Sequence, residues 1–68
     1  MVNKHLFKSF VYGKGDNLTA CAEIIETSSD NLSKKLNGKS KFTVDQIEKF
    51  VRHYGCTSEE TMAIFFEM

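Results

Sequence analysis

The sequence predicts an all-α domain built from five short helices. Apolar residues recur at helical spacing along most of the chain, and no stretch keeps the apolar–polar alternation of a half-buried strand. Capping residues precede the successive apolar stripes, and glycines follow them. The chain has 68 residues and no proline, which gives a single domain, 1–68. A domain this small buries only about 60% of the surface its unfolded chain exposes, so each core side chain matters.

The first helix is predicted over residues 3–12, with Leu6, Phe7, Phe10 and Val11 forming its apolar stripe. Gly13-Lys14-Gly15-Asp16 breaks it. This Gly-Lys-Gly reads as a turn, since a phosphate loop needs Gly-x4-Gly-Lys-Ser/Thr after a strand. Asn17 is the natural N-cap of the second helix, which is expected to run to about Glu26. Its inner face is Leu18, Cys21, Ala22 and Ile25, at i, i+3, i+4 and i+7.

Thr27-Ser28-Ser29-Asp30 is a stop and a restart. Ser28 caps a third helix, and Asp30 falls in its first turn, where the helix dipole favours an acid. Leu32 and Leu36 are its narrow seam, and Asn37-Gly38 ends it. Thr43-Val44-Asp45-Gln46 has the capping-box pattern and opens a fourth helix, with Val44, Ile47, Phe50, Val51 and Tyr54 expected on its inner face. Gly55 stops that helix. Thr57-Ser58-Glu59-Glu60 is a second capping box and opens the fifth. On that last helix a regular α period turns Met62 and Phe65 into the core. Ile64 and Phe66 point elsewhere on the helical wheel, where two large apolar side chains suggest an interface, the alternative being that so small a domain takes them all into its core.

Charge narrows the function classes. Nine Lys and Arg balance nine Asp and Glu, for a net charge of zero. The distribution is uneven: residues 1–41 carry seven lysines against four acids, and residues 42–68 carry two cations against five acids. A neutral total thus hides a basic front and an acidic back. The longest apolar run, Ala63 to Phe66, is too short to span a bilayer, and Lys4, His5 and Lys8 interrupt any secretory signal, so a cytoplasmic protein is expected. Cys21 and Cys56 lack the short spacing of structural zinc sites, even counting His5 and His53, and are expected to be buried free thiols. No cofactor, metal or small-molecule substrate is implied. No nucleophile–base pair or paired-carboxylate motif stands out, and an enzyme is not expected.

The second and third helices carry the informative feature. Both are short, a tight turn joins them, and Ala22 sits where they would cross. Ile25 and Leu32 flank the turn and can lock its angle. A helix-turn-helix needs these things together with a polar outer face on its second helix. In this respect the sequence resembles the Cro/C1-type, lambda-repressor-like helix-turn-helix family of phage repressors. The resemblance covers about residues 17–62, with the motif at about 17–37. It rests on Asn17, Cys21-Ala22, Ile25, Ser28, Leu32 and Asn37-Gly38-Lys39, then on Ile47, Phe50, Tyr54-Gly55 and Thr57-x-x-Glu60.

The resemblance implies a small regulator of a lysis–lysogeny-like genetic switch. Ser29, Asp30, Ser33 and Lys34 would face base edges beside the Ser28 cap, and Asn17, Asn37, Lys39 and Lys41 would contact phosphates. A homodimer on a two-fold operator is the matching assembly. The sequence departs from the family pattern at three places. Glu26 occupies a turn position where the family often has Gly, Leu18 one where it often has Gln, and Asp30 and Glu23 place acids near the reading face. Those acids, with the acidic second half, open an alternative: an antirepressor that binds a partner repressor's DNA-reading face and blocks its operator.

Overall fold

The computed structural model describes residues 2–66. Five α-helices follow one another: α1 (Lys4–Gly13), α2 (Leu18–Ile24), α3 (Ser29–Leu36), α4 (Val44–Tyr54) and α5 (Ser58–Thr61). A π-helical turn, Met62–Phe66, continues α5. No strand occurs among the described residues. The domain is all-α, and α2 and α3 form a helix-turn-helix pair.

Local chemistry sets every helix start. The side-chain oxygens of Asn3, Asn17 and Ser28 accept the N–H groups of Leu6, Ala20 and Asn31 at 3.1, 2.8 and 3.1 Å. Thr43 with Gln46 and Thr57 with Glu60 close reciprocal capping boxes. Asn3, missing from the capping residues read along the sequence, moves the start of α1 to Lys4.

The ends of α1, α2 and α3 share one device. In each, the residue after the C-cap has positive φ: Gly15 at 84°, Glu26 at 60° and Gly38 at 79°. Paired backbone bonds surround it, as in Asp16 N–H to Val11 O at 3.2 Å, Thr27 N–H to Ala22 O at 2.9 Å and Lys39 N–H to Lys34 O at 2.9 Å. These are Schellman closures, which satisfy the last carbonyls of a helix by turning one residue left-handed. Gly55 at φ 68° ends α4 in a related way. Three glycines and one glutamate thus do the same job.

The core is aromatic and long-range. Phe7 of α1 stacks on Phe50 of α4 at 4.9 Å between centroids and meets Phe65 edge-on at 5.9 Å. Phe42, from the α3–α4 connection, closes the cluster against Phe65 at 5.3 Å. Such edge and offset pairs each add roughly 0.5–1.5 kcal/mol beyond burial. Around the rings lie Val11, Cys21, Ala22, Ile25, Leu32, Leu36, Tyr54 and Ile64. Tyr54 Oη donates to Asp16 Oδ2 at 2.9 Å, so the one hydroxyl carried into this core has a partner. Asn3 N–H donates to Ile64 O at 2.7 Å, joining the N-cap of α1 to the π turn.

Several expected placements are corrected. Ile64 is 2% exposed and belongs to the core, not to an interface, whereas Met62 is 37% exposed. The π turn is the cause. Its wider winding breaks the regular α period, so Ile64 and Phe65 face inward together and Met62 and Phe66 face outward. Val44 is 74% exposed because it opens α4 before that helix reaches the core. Leu6 is exposed beside fully buried Phe7 and Val11. Helix α2 stops at Ile24, earlier than expected, because Glu26 has already turned left-handed. Of the two thiols, both free, only Cys21 is fully buried.

Candidate nucleic-acid interface

The geometry of the α2–α3 pair follows from three side chains. Ala22, 2% exposed, has only a methyl group between α2 and its neighbours, so helix backbones can approach. Ile25 and Leu32, each 1% exposed, pack into the core on either side of the turn and fix its angle. Glu26 supplies the reversal, and its carboxylate reaches Lys49 Nζ of α4 at 2.9 Å. Lys49 also holds Asp45 at 2.7 Å, and these two carboxylates raise its pKa. Both salt bridges among the described residues therefore share Lys49, and neither uses a residue of α3.

That outer face is polar throughout. Ser29, Asp30, Ser33, Lys34 and Asn37 are all exposed, at i, i+1, i+4, i+5 and i+8, so they share one side of α3. Lys34 makes no salt bridge among the described residues, and neither do Asp30 or Glu23. The Ser28 hydroxyl, by contrast, is committed to the Asn31 N–H, which makes Ser28 the N-cap of α3. Asn17 uses Oδ1 on Ala20, and its Nδ2 remains to donate outward.

The residues following α3 divide. Lys39 is exposed, and its N–H closes the helix on Lys34 O. Lys41 is exposed as well, but it borders a separate hollow with Lys35, Phe42 and Phe65. Lys35 holds that connection in place: its Nζ donates to Lys41 O at 2.8 Å and lies 5.8 Å from the Phe42 ring centroid. The structure therefore joins Ser29, Asp30, Ser33, Lys34 and Asn37 on one side of α3, keeps Lys39 at the end of that helix, leaves Asn17 at the start of α2, and sets Lys41 beside the separate hollow.

Two cations that the motif reading passed over belong to this surface. Lys4 Nζ donates to Asn37 Oδ1 at 3.1 Å, bridging α1 to the end of α3. Lys8, one turn along α1, lines the same depression as Ser29 and Ser33. Their i, i+4 spacing was visible in the sequence, but the tertiary packing of α1 beside α3 was not.

Two buried hydroxyl or thiol groups lie beneath the pair. Burial pushes the Cys21 thiol up to about 11, with a smaller opposing effect from Tyr54 and an added push from Asp16. Burial also raises Tyr54, reinforced by its hydrogen bond to Asp16. Both groups are neutral at physiological pH and structural in role. Among the described residues, no three His, Cys, Asp or Glu side chains gather as a metal site, and no helix is long and apolar enough to cross a membrane. No family model, curated protein or solved structure is detectably similar to the chain, so the geometry of the α2–α3 pair carries the functional reading.

Proposed function

We propose that this chain is a small phage-type transcriptional regulator that presents α3 to the major groove of operator DNA. The observation that carries the reading is the exposed polar face of α3, locked onto α2 through Ala22, Ile25, Leu32 and the left-handed Glu26. A helix held this rigidly, with its first-turn side chains outward, suits base-edge contacts. Lys34 donates to guanine O6 or N7, and Asp30 accepts from cytosine N4. Asn17, Asn37 and Lys39 fix register on phosphates. Two copies on a two-fold operator would meet through the surface that carries Met62 and Phe66, and light scattering on the eluting species reads that assembly directly.

The test is fluorescence anisotropy with candidate operator duplexes at two salt concentrations. Specific binding that weakens with salt is expected, and Lys34→Ala should cost about 1–3 kcal/mol on the preferred site and relax selection at one base pair. Absence of binding to any duplex at low salt refutes the reading. A second reading is favoured by one observation: Asp30 and Glu23 are exposed and make no salt bridge among the described residues. Acids on this face suit a basic partner, such as the DNA-reading surface of another repressor. Calorimetry with a neighbouring-gene repressor distinguishes the two, since heat with the repressor and none with DNA reverses the assignment.

A further inference from the structure

We infer that the hollow between α1 and α3 is a seat for one backbone phosphodiester of duplex DNA, held by Lys4 and Lys8. The inference rests on the DNA reading above and extends it to a helix outside the α2–α3 pair. The hollow measures ≈ 140 Å³ and lies along the edge of the reading face. Lys4, Lys8, Ser29, Ser33 and Asn37 line its polar side over a floor that includes Leu32. No acidic side chain lines it, although the chain as a whole is electrically neutral.

The arrangement is organised before any ligand arrives. Lys4 Nζ is tied to Asn37 Oδ1 at 3.1 Å, and Asn37 Nδ2 points to Ser33 Oγ at 3.5 Å. An ammonium has three donors, so Lys4 keeps two after this bond. Lys8 forms no salt bridge among the described residues and stands one helical turn away on the same side of α1. Lys4, Lys8, Ser29 and Ser33 thus line one concavity, which assigns the two serines to the phosphate and leaves Asp30 and Lys34 for base edges. A phosphodiester carries one negative charge and several acceptor oxygens, which matches this donor set. The hollow shares Ser29, Ser33 and Asn37 with the exposed face of α3, so the phosphate source is a duplex docked on that face.

Lys4→Gln and Lys8→Gln, each in the full chain, are titrated by anisotropy against a labelled duplex over a range of salt concentrations. Each neutralised phosphate adds about 0.9 to the magnitude of the slope of log K against log salt, so the one phosphate held by Lys4 and Lys8 accounts for about that much in total. The expected result is a slope reduced by part of that amount in each single variant and by about the whole of it when both lysines are replaced, with weaker binding on all duplexes alike and an unchanged order of preference among sequences. Lys8→Arg should restore the slope, which a role in folding alone would not predict, and thermal melts confirm that each variant is folded. Wild-type slope and affinity in Lys8→Gln, with the wild-type chain itself binding DNA, overturn the phosphate seat and leave the α3 reading standing. A wild-type chain that binds no duplex overturns both together.

Discussion

Replacing Glu26 by glycine should stabilise the domain, although it removes a charge pair. Glu26 sits at φ 60° because the Schellman closure of α2 requires a left-handed residue there. An L-residue pays roughly 1–2 kcal/mol for that conformation, and glycine does not. Against this gain, glycine loosens the unfolded chain by about 0.4–1 kcal/mol. The pair with Lys49 is also lost, but it lies at the surface, and Lys49 keeps Asp45 at 2.7 Å. The balance is a gain of about 0.5 kcal/mol, which in a domain of this size raises Tm by about 2–4 °C. Glu26→Ala is the control, since alanine keeps the strain and also loses the pair. Urea and thermal melts of both variants read the difference. A Glu26→Gly protein no more stable than Glu26→Ala would show that the turn is not strained and that the Schellman argument fails.

Tyr54→Phe should cost about 1–2 kcal/mol in urea melts, because Tyr54 donates to a charged acceptor and the loss strands only a partly exposed Asp16. Stability should be flat up to about pH 9 and then fall as pH rises toward and past 11, because Cys21 is raised to about 11 and Tyr54 is raised as well, so the folded state holds both protons more tightly than the unfolded chain does. Cys21→Ala should remove part of that alkaline loss, with the decline followed by circular dichroism. Phe50→Ala deletes the ring that Phe7, Phe10, Tyr54 and Phe65 all contact, and a loss of about 3–5 kcal/mol should leave the chain largely unfolded at 37 °C.

The features legible in the sequence are those decided within a few residues. Asn17, Ser28, Thr43 and Thr57 could be named as caps because each acts on an N–H three positions away. Leu32, Leu36, Phe50 and Tyr54 could be named as core because their helices keep a regular period where they meet it. The same reasoning failed at Ile64, since one π turn moves every later side chain to a new bearing and has no compositional mark. Val44 failed for a different reason: the period gives a face, but not how far along a helix the core extends. Of the candidate site, the α3 face was legible because α3 is one regular helix. Lys4 and Lys8 were not, because their placement depends on where α1 packs, and that is settled by Phe7 and Phe65 at a distance.

The aromatic cluster has a consequence for the order in which the chain folds. Its rings come from α1, the α3–α4 connection, α4 and the π turn, and none comes from the α2–α3 pair. The α2–α3 pair therefore gives the core only Cys21, Ala22, Ile25, Leu32 and Leu36, and packs these onto rings supplied by segments on both sides of it. Long-range closure of this kind is slow compared with helix formation and is reached all at once. Unfolding should accordingly be a single event in which α3 loses its shape when Phe7 and Phe65 separate. An isolated peptide spanning residues 17–38 should be largely unstructured, however well its ends are capped.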